Sequence, residues 1–277
     1  MNAPNPLDGF SVDRAHISYI GQNLQRPECI LAERDGTLWT ADARGVMRLN
    51  NDGSQTLIRQ QGVADRDLNA AAMLMGGSLP NGIAFDQSGN ILIANFGTDA
   101  IELMTRDGQS RTLHDSIDGE PLGKTNFVLT DSRGRIWFTV TTRLQPWTRS
   151  INEKAPDGYV GLIDEKGIRI VADGFVGTNE IRLDAKEEWL YVVESNARRI
   201  SRLRVAQDGS CSDREVFGPS NLGGIPDGFA FDAFGNLWIT LIMAERLVAL
   251  TPDGELLTLL DDGKPEAIAA FDRHFYE

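Results

Sequence analysis

The sequence predicts an all-β protein, a β-propeller built from four-stranded blades. One pattern predicts this fold: five segments of the same design recur about every 50 residues. Each has an alternating apolar run, a polar turn and a second apolar run, as a β-hairpin does. No stretch sustains the helical apolar period, which argues against an α/β fold. The hairpin segments are residues 27–42, 80–95, 125–140, 178–193 and 226–241.

Each hairpin is followed by two further apolar runs. The third run often ends in Asp-Gly, as in VMRLNNDGS and LVALTPDGE, and a short fourth run comes next. Four strands per repeat make a propeller blade. A β-sandwich with chance similarity between its strands is the alternative, and five repeats in phase disfavour it. The 277 residues contain no linker or low-complexity stretch, so we expect one domain over residues 1–277.

The number of blades is left open by the chain ends. The run HISYI at 16–20 is predicted to form an outer strand that would complete a final blade. The C-terminal residues 264–277 do not have the pattern of the three partner strands that such a blade needs. Either five blades close the ring, or a sixth blade is incomplete and leaves a sheet edge that must be covered.

Composition excludes several classes of partner. The formal net charge is −13, from 27 basic and 40 acidic residues, which repels phosphate backbones and anionic lipids. Residues 1–10 lack the pattern of a signal peptide, and no apolar run approaches the length of a membrane span. We therefore expect a cytoplasmic monomer or homodimer that binds a small molecule, with no nucleic-acid or membrane partner.

One position in every repeat carries an oxygen-bearing side chain. Eight residues before each hairpin turn stands a carboxylate or a carboxamide, at the start of the blade's first strand. In a propeller the first strand is innermost, so radial symmetry is expected to bring these side chains together on the axis. The five residues are Glu28, Asn81, Asn126, Asn179 and Asp227.

The five side chains predict a cation site. Asn81 and Asp227 precede glycine and could be ordinary turn residues, but the other three do not. Polar groups crowded together without a cation would be poorly compensated. Oxygen-only ligands select Ca²⁺, Mg²⁺ or Mn²⁺ over Zn²⁺. We expect Ca²⁺ first, with Mg²⁺, Mn²⁺ or Zn²⁺ as alternatives.

The long connections are expected on the same face as these ligands. The turns within the hairpins are tight and lie at the other end of the strands, whereas residues 59–80, 114–125, 141–158 and 211–226 are long. The segment 141–158 carries Trp147 between Arg143 and Arg149, and it is a candidate lid over a substrate. The alternative is a tolerated surface insertion.

The motifs around these positions resemble a known family. Over about residues 15–263 the chain resembles the senescence-marker-protein, gluconolactonase and luciferin-regenerating-enzyme family, which includes regucalcin and is related to squid-type diisopropylfluorophosphatase. The resemblance implies a six-bladed propeller with a catalytic divalent ion on its axis. By repeat position it implies four metal ligands: Glu28 in RPEC, Asn126 in KTNF, Asn179 in GTNE and Asp227 in IPDG.

The chain departs from the family pattern at three places. Cys29 follows the first ligand where the family usually has glycine, and Lys124 stands where the family has a substrate-contacting arginine. A lysine offers a point charge rather than a planar fork. The sequence of a terminal sixth blade is missing.

These features favour a metal-dependent lactonase or esterase. Asp227 would be both ligand and general base, while Lys124 and Asn126 would orient the substrate. Four protein ligands leave positions for water and substrate on an ion that takes about six to eight. The alternatives are a phosphotriesterase-like hydrolase with Asp227 as nucleophile and a non-catalytic calcium-binding propeller.

Overall fold

Five four-stranded antiparallel sheets form the molecule in a computed structural model that describes residues 5–64, 74 and 76–275. In each sheet consecutive strands are neighbours, which is the meander of a propeller blade. The all-β class and the four-stranded propeller blades predicted from the repeat are confirmed, and the described residues contain five blades.

The strand bounds follow the repeat. Blade 1 contains β1 (Ile30–Ala32), β2 (Leu38–Asp42), β3 (Gly45–Leu49) and β4 (Gln55–Arg59). Blade 2 contains β5 (Pro80–Phe85), β6 (Ile91–Asn95), β7 (Ala100–Met104) and β8 (Ser110–His114), and a small hairpin of β9 (Ser116–Ile117) and β10 (Glu120–Pro121) follows it. Blade 3 contains β11 (Thr125–Thr130), β12 (Ile136–Val140), β13 (Gly158–Asp164) and β14 (Gly167–Phe175). Blade 4 contains β15 (Thr178–Leu183), β16 (Trp189–Glu194), β17 (Arg199–Val205) and β18 (Cys211–Phe217). Blade 5 contains β19 (Ile225–Phe231), β20 (Leu237–Ile242), β21 (Arg246–Leu250) and β22 (Leu256–Asp261).

The hairpin turns are closed by an acidic side chain. Asp131 accepts hydrogen bonds from the backbone amides of Arg133 and Arg135 and from the Trp137 indole, the last at 2.9 Å. Burial alone would raise the pKa of Asp131, but the bonds from Trp137 and Arg135 outweigh it and hold the pKa below its usual value. Blade 4 has Glu187 at φ 56° where the other turns have glycine.

The chain divides into two compact units. The first unit comprises Tyr19–Arg143 and Tyr159–Val171, and the second comprises the N-terminal residues through Ser18, Leu144–Gly158 and the residues from Ala172 onward. Each has its own apolar core. In the first unit the rings of Phe138 and Tyr159 meet edge to face. In the second unit the Tyr191 ring contacts Phe217 and Phe231 in the same way.

The N-terminal segment differs from the prediction. The expected outer strand at 16–20 is wrong: Arg14–His16 form a 3₁₀ helix, and residues 17–20 pair with no strand. Asp13 accepts a bond from the Ala15 amide, and this local cap competes with an extended conformation. In the second unit Leu7 packs on blade 5, and the Val12 amide donates to the Leu259 carbonyl at 2.7 Å.

The described residues also contain two short α-helices. Helix α1 (Arg149–Glu153) lies within the candidate lid, and helix α2 (Pro265–Phe275) follows blade 5 instead of further strands. Ile268 of α2 packs against the core of the second unit, and Asp272 forms an ion pair with Arg198. No helix in the described part of the chain has the length and apolarity needed to cross a membrane.

The long connections are confirmed only in part. The connection predicted at 211–226 is wrong for its first half, because residues 211–217 pair with β17 as strand β18. This strand was missed because its central run SDRE is polar and charged, so the sequence lacks the apolar alternation of a strand. These side chains are exposed, and the strand lies at the edge of the sheet. Within the predicted long connection 59–80, residues 65–73 and 75 lie outside the part of the chain that the structure describes.

Candidate active site

A break in strand pairing marks the predicted ligand position in four blades. The register of the first strand shifts at that position in β5, β11, β15 and β19. Such a bulge bends the strand and re-aims the side chain that it carries. In blade 1 the pairing begins only at Ile30, so Glu28 precedes the ladder. The repeat thus supplies a break in the ladder at four of the five predicted positions.

Threonines on the second strand support two of these bulges. The Phe127 amide, next to Asn126, donates to the Thr139 hydroxyl at 3.0 Å. The Gly228 amide, next to Asp227, donates to the Thr240 hydroxyl at 3.1 Å. Each hydroxyl satisfies a backbone amide that the bulge removes from the ladder.

The predicted ligands of the first unit are joined to one another and to an arginine. The Asn81 carboxamide donates to both the carbonyl and the side-chain oxygen of Asn126, at 3.0 and 3.3 Å. The Arg26 guanidinium donates to the Asn81 side-chain oxygen at 2.8 Å and lies 3.3 Å from a Glu28 oxygen. Arg26, Asn81 and Asn126 are buried, whereas Glu28 is about one-third exposed. The carboxylate of this group is therefore already paired with a cation.

Lys124 is also paired within the first unit. Its ammonium lies 2.6 Å from an Asp99 oxygen and donates to the Phe96 carbonyl at 2.9 Å. Burial raises the pKa of Asp99, and the effect of Lys124 in the opposite direction is smaller. An ammonium has three N–H groups, so one remains for a substrate oxygen.

The predicted ligands of the second unit form a direct pair. Asn179 donates to an Asp227 oxygen at 2.6 Å and to the Ser195 hydroxyl at 3.1 Å. That hydroxyl donates in turn to the Pro226 carbonyl at 2.7 Å. The chain from Ser195 through Asn179 fixes the orientation of the carboxylate that we expect to act as general base.

Glu180, which follows Asn179, was not among the predicted site residues. Its carboxylate accepts a bond from the Phe229 amide at 3.1 Å and lies 3.2 Å from Arg182. Burial raises the pKa of Glu180 to about 7; Arg182 opposes this shift and the nearby charge of Asp227 adds to it. The break in register between Thr178 and Ile181 encloses both Asn179 and Glu180. A carboxylate directly after a predicted ligand was the only signal that could have identified it.

Polar cavities occur in both units. One of about 480 Å³ in the second unit is lined in part by Lys154, Asn196, Arg198 and Asp272. Asn196 follows Ser195, which accepts a bond from Asn179, but none of the predicted site residues lines this cavity. Another of about 510 Å³ in the first unit is lined by residues such as Glu102 and contains none of the predicted site residues.

From residue 144 onward, the candidate lid belongs to the second unit. The Asn196 side chain donates to the Ser150 carbonyl of α1 at 3.1 Å, which ties the segment to the turn that carries Ser195. Trp147 is half-buried, and Arg149 pairs with Glu153. Arg143 lies in the first unit with its guanidinium over the Tyr159 ring.

The two units differ in how well their oxygen-bearing side chains suit a hard divalent ion. The described residues contain no group of three or more His, Cys, Asp or Glu that could hold a metal, so any site depends on amide oxygens. Asp227 and Asn179 offer a carboxylate and a carboxamide within one hydrogen bond, and a half-turn of the carboxamide presents its oxygen. Glu28, the other carboxylate among the predicted ligands, lies 3.3 Å from the Arg26 guanidinium.

Comparison with known proteins assigns a family. The model of the SMP-30/gluconolactonase/LRE-like region matches residues 27–268. The chain belongs to this family. The match covers all five blades, and it begins one residue before Glu28.

Individual relatives of the SMP-30/gluconolactonase/LRE-like chain are distant. A gluconolactonase from Zymomonas mobilis is 25% identical over 213 residues, which are 69% of this chain and 57% of that protein. The solved structure of a gluconolactonase from Xanthomonas campestris has a TM-score of 0.68 at 23% identity, covering 87% of this chain and 78% of that one. A regucalcin structure from Agrobacterium tumefaciens has a TM-score of 0.64 at 18% identity, covering 83% and 72%. The chain spans about half the length of the curated relatives it matches.

Proposed function

We propose that this member of the SMP-30/gluconolactonase/LRE-like family is a divalent-metal-dependent hydrolase of a small lactone or ester. The observation that carries the proposal is the Asn179–Asp227 pair, a carboxylate oriented by a neutral amide on a bulged strand. The relatives named gluconolactonase support the reaction class, and the regucalcin described as calcium-binding supports Ca²⁺ as the ion.

Asp227 would act as the general base in this reaction. Its carboxylate would accept a proton from the attacking water, while Asn179 keeps it in one orientation. When bound, the ion supplies Lewis-acid polarisation of the substrate carbonyl or a more acidic water. Asp227 and Asn179 would hold the ion; the sequence also predicts Asn126 and Glu28 as ligands.

Lys124 and Asn126 are proposed to orient the substrate. Lys124 has one N–H group beyond those directed at Asp99 and Phe96, and this group would donate to a substrate oxygen. The Asn126 carboxamide, which is held by Asn81, would provide a second polar contact. Both side chains are buried, which limits competition from water.

The test is a turnover assay with defined metal content. Purified protein stripped with a chelator is supplied with Ca²⁺, and hydrolysis of glucono-1,5-lactone is followed by acid release. We expect turnover that requires Ca²⁺ and disappears in Asp227→Asn. Turnover of a phosphotriester but of no lactone would favour the phosphotriesterase alternative. Calcium binding without turnover of either substrate would favour a non-catalytic calcium-binding propeller.

A further inference from the structure

Arg26 has a backbone conformation that its own sequence does not favour. Its φ is 55°, in the left-handed region, and the next residue is Pro27. Side chains other than glycine rarely adopt positive φ, and a following proline favours an extended conformation. Such a residue persists when the surrounding contacts more than offset the strain, which is common at functional positions.

The Arg26 guanidinium makes several contacts. It donates to the Pro80 carbonyl at 3.2 Å and to the Asn81 side-chain oxygen at 2.8 Å, and it lies 3.3 Å from Glu28. The Phe96 ring lies beneath it at 5.6 Å. The side chain is only 9% exposed. The planar fork is therefore fixed among oxygens from two blades of the first unit.

Two of these oxygen groups are in the series that predicted the cation site. Glu28 and Asn81 stand at the same repeat position as Asn179 and Asp227. A divalent ion would meet the carboxylate of Glu28 with its negative charge already balanced by the guanidinium. A divalent ion on this carboxylate would be repelled by the guanidinium beside it, which would weaken the binding of the ion.

We propose that Arg26 is a built-in competitor for the metal: its guanidinium neutralises Glu28 in the metal-free protein, and Glu28 joins the ion only when Arg26 is displaced. The inference rests on the metal site of the proposed function and adds a residue that sets its affinity. The expected consequence is a calcium affinity lower than the ligand set alone would give.

Calorimetric titration with Ca²⁺ tests this directly. Arg26→Gly removes the guanidinium and also relaxes the left-handed backbone, so folding is not at risk from strain. We expect this variant to bind Ca²⁺ about five- to tenfold more tightly than the wild type, as for the loss of one partly buried competing charge. Arg26→Lys, which keeps a charge without the fork, should bind between the two.

Arg106→Met is the matched control. Arg106 also pairs with a glutamate, Glu33, at 2.8 Å, and lies over the aromatic rings of Trp39 and Phe85. Glu33 is five residues beyond Glu28, about 16 Å along an extended chain. This variant loses the same net charge far from Glu28, so its calcium affinity should stay within about twofold of the wild type.

A double-variant cycle separates competition from general loosening. With Arg26 present, Glu28→Gln should weaken calcium binding little, because that carboxylate is already neutralised. In the Arg26→Gly background the same change should weaken it about tenfold. Unchanged or weaker binding by Arg26→Gly, or equal effects of Glu28→Gln in both backgrounds, overturns the competition while leaving a metal-dependent hydrolase intact. Absence of calcium binding in every variant overturns both, and the lactone assay then shows whether hydrolysis survives without metal.

Discussion

The same repeat position has opposite electrostatic surroundings in the two units. In the first unit Glu28 and Asn81 are held by the Arg26 guanidinium, and nearby Lys124 is paired with Asp99. In the second unit Asp227 accepts a bond from a neutral carboxamide, and Glu180 has a pKa raised to about 7. The repeat fixes the backbone position of each side chain, but the groups that contact the side chain determine its electrostatic surroundings. The same repeat position therefore lies beside a cation in the first unit and beside a neutral amide in the second.

The largest expected effect comes from Asp227→Asn. A carboxamide can still coordinate through oxygen but cannot accept a proton, so the rate of lactone hydrolysis should fall by about 10²- to 10⁴-fold, more than calcium affinity falls. The measurements are kcat/KM and calorimetric affinity. Asp253→Asn, an exposed position of the same blade, is the control and should retain full activity. Equal losses of affinity and rate in Asp227→Asn would make Asp227 a ligand only.

The second-largest effect is expected from metal removal, which should lower the Tm and should affect variants of the two units differently. An ion bound only to the folded state adds about 2.7 kcal/mol at a concentration 100 times its Kd, which corresponds to a rise in Tm of about 5–10 °C for a chain of this size. We expect this calcium-dependent shift to become smaller in Asp227→Asn, whose carboxamide binds the ion more weakly, and to persist largely in Glu28→Gln, because Arg26 already neutralises Glu28. A Tm unaffected by calcium in the wild type would contradict the metal site.

The hydrogen-bonded amides should differ in their contribution to stability. Asn81→Ala removes one acceptor of the Arg26 guanidinium and the amide that donates to Asn126, so the free energy of unfolding should fall by about 1–3 kcal/mol. Asn179 is partly exposed, and water can replace its bonds, so Asn179→Ala should cost less than about 1 kcal/mol. Urea unfolding measures both. The reverse order would show that the second unit depends more on its polar pair than the first.

The smallest effect is expected at the candidate lid, which the second unit has near its site. Trp147→Ala should raise KM about three- to tenfold, as expected for a lost apolar contact of about 1 kcal/mol, and leave calcium affinity unchanged. Trp147→Phe should restore most of the loss. If Trp147→Ala instead unfolds about 3 kcal/mol more easily with normal kinetics, as for a buried aromatic, then the segment is scaffold.

The fold was predictable because a propeller repeat is written in local patterns. Alternation, turn residues and spacing identified five blades and placed Glu28, Asn126, Asn179 and Asp227 at equivalent positions. The errors arose where local rules conflict. Residues 16–20 alternate like a strand, but the Asp13 cap begins a 3₁₀ helix just before them. Residues 211–217 were assigned to a loop for their charges, although an exposed edge strand tolerates charges well.

What the sequence determined by itself is the series of oxygen side chains and the backbone position of each. The ladder break that re-aims them recurs because the same local pattern recurs. Only the tertiary structure decided their partners. The bond between Arg26 and Asn81 joins residues 55 apart, and that between Asn179 and Asp227 joins residues 48 apart. Charge state and pKa depend on such long-range neighbours and on burial, which no periodicity encodes, so Arg26 and Glu180 became visible only in the folded chain.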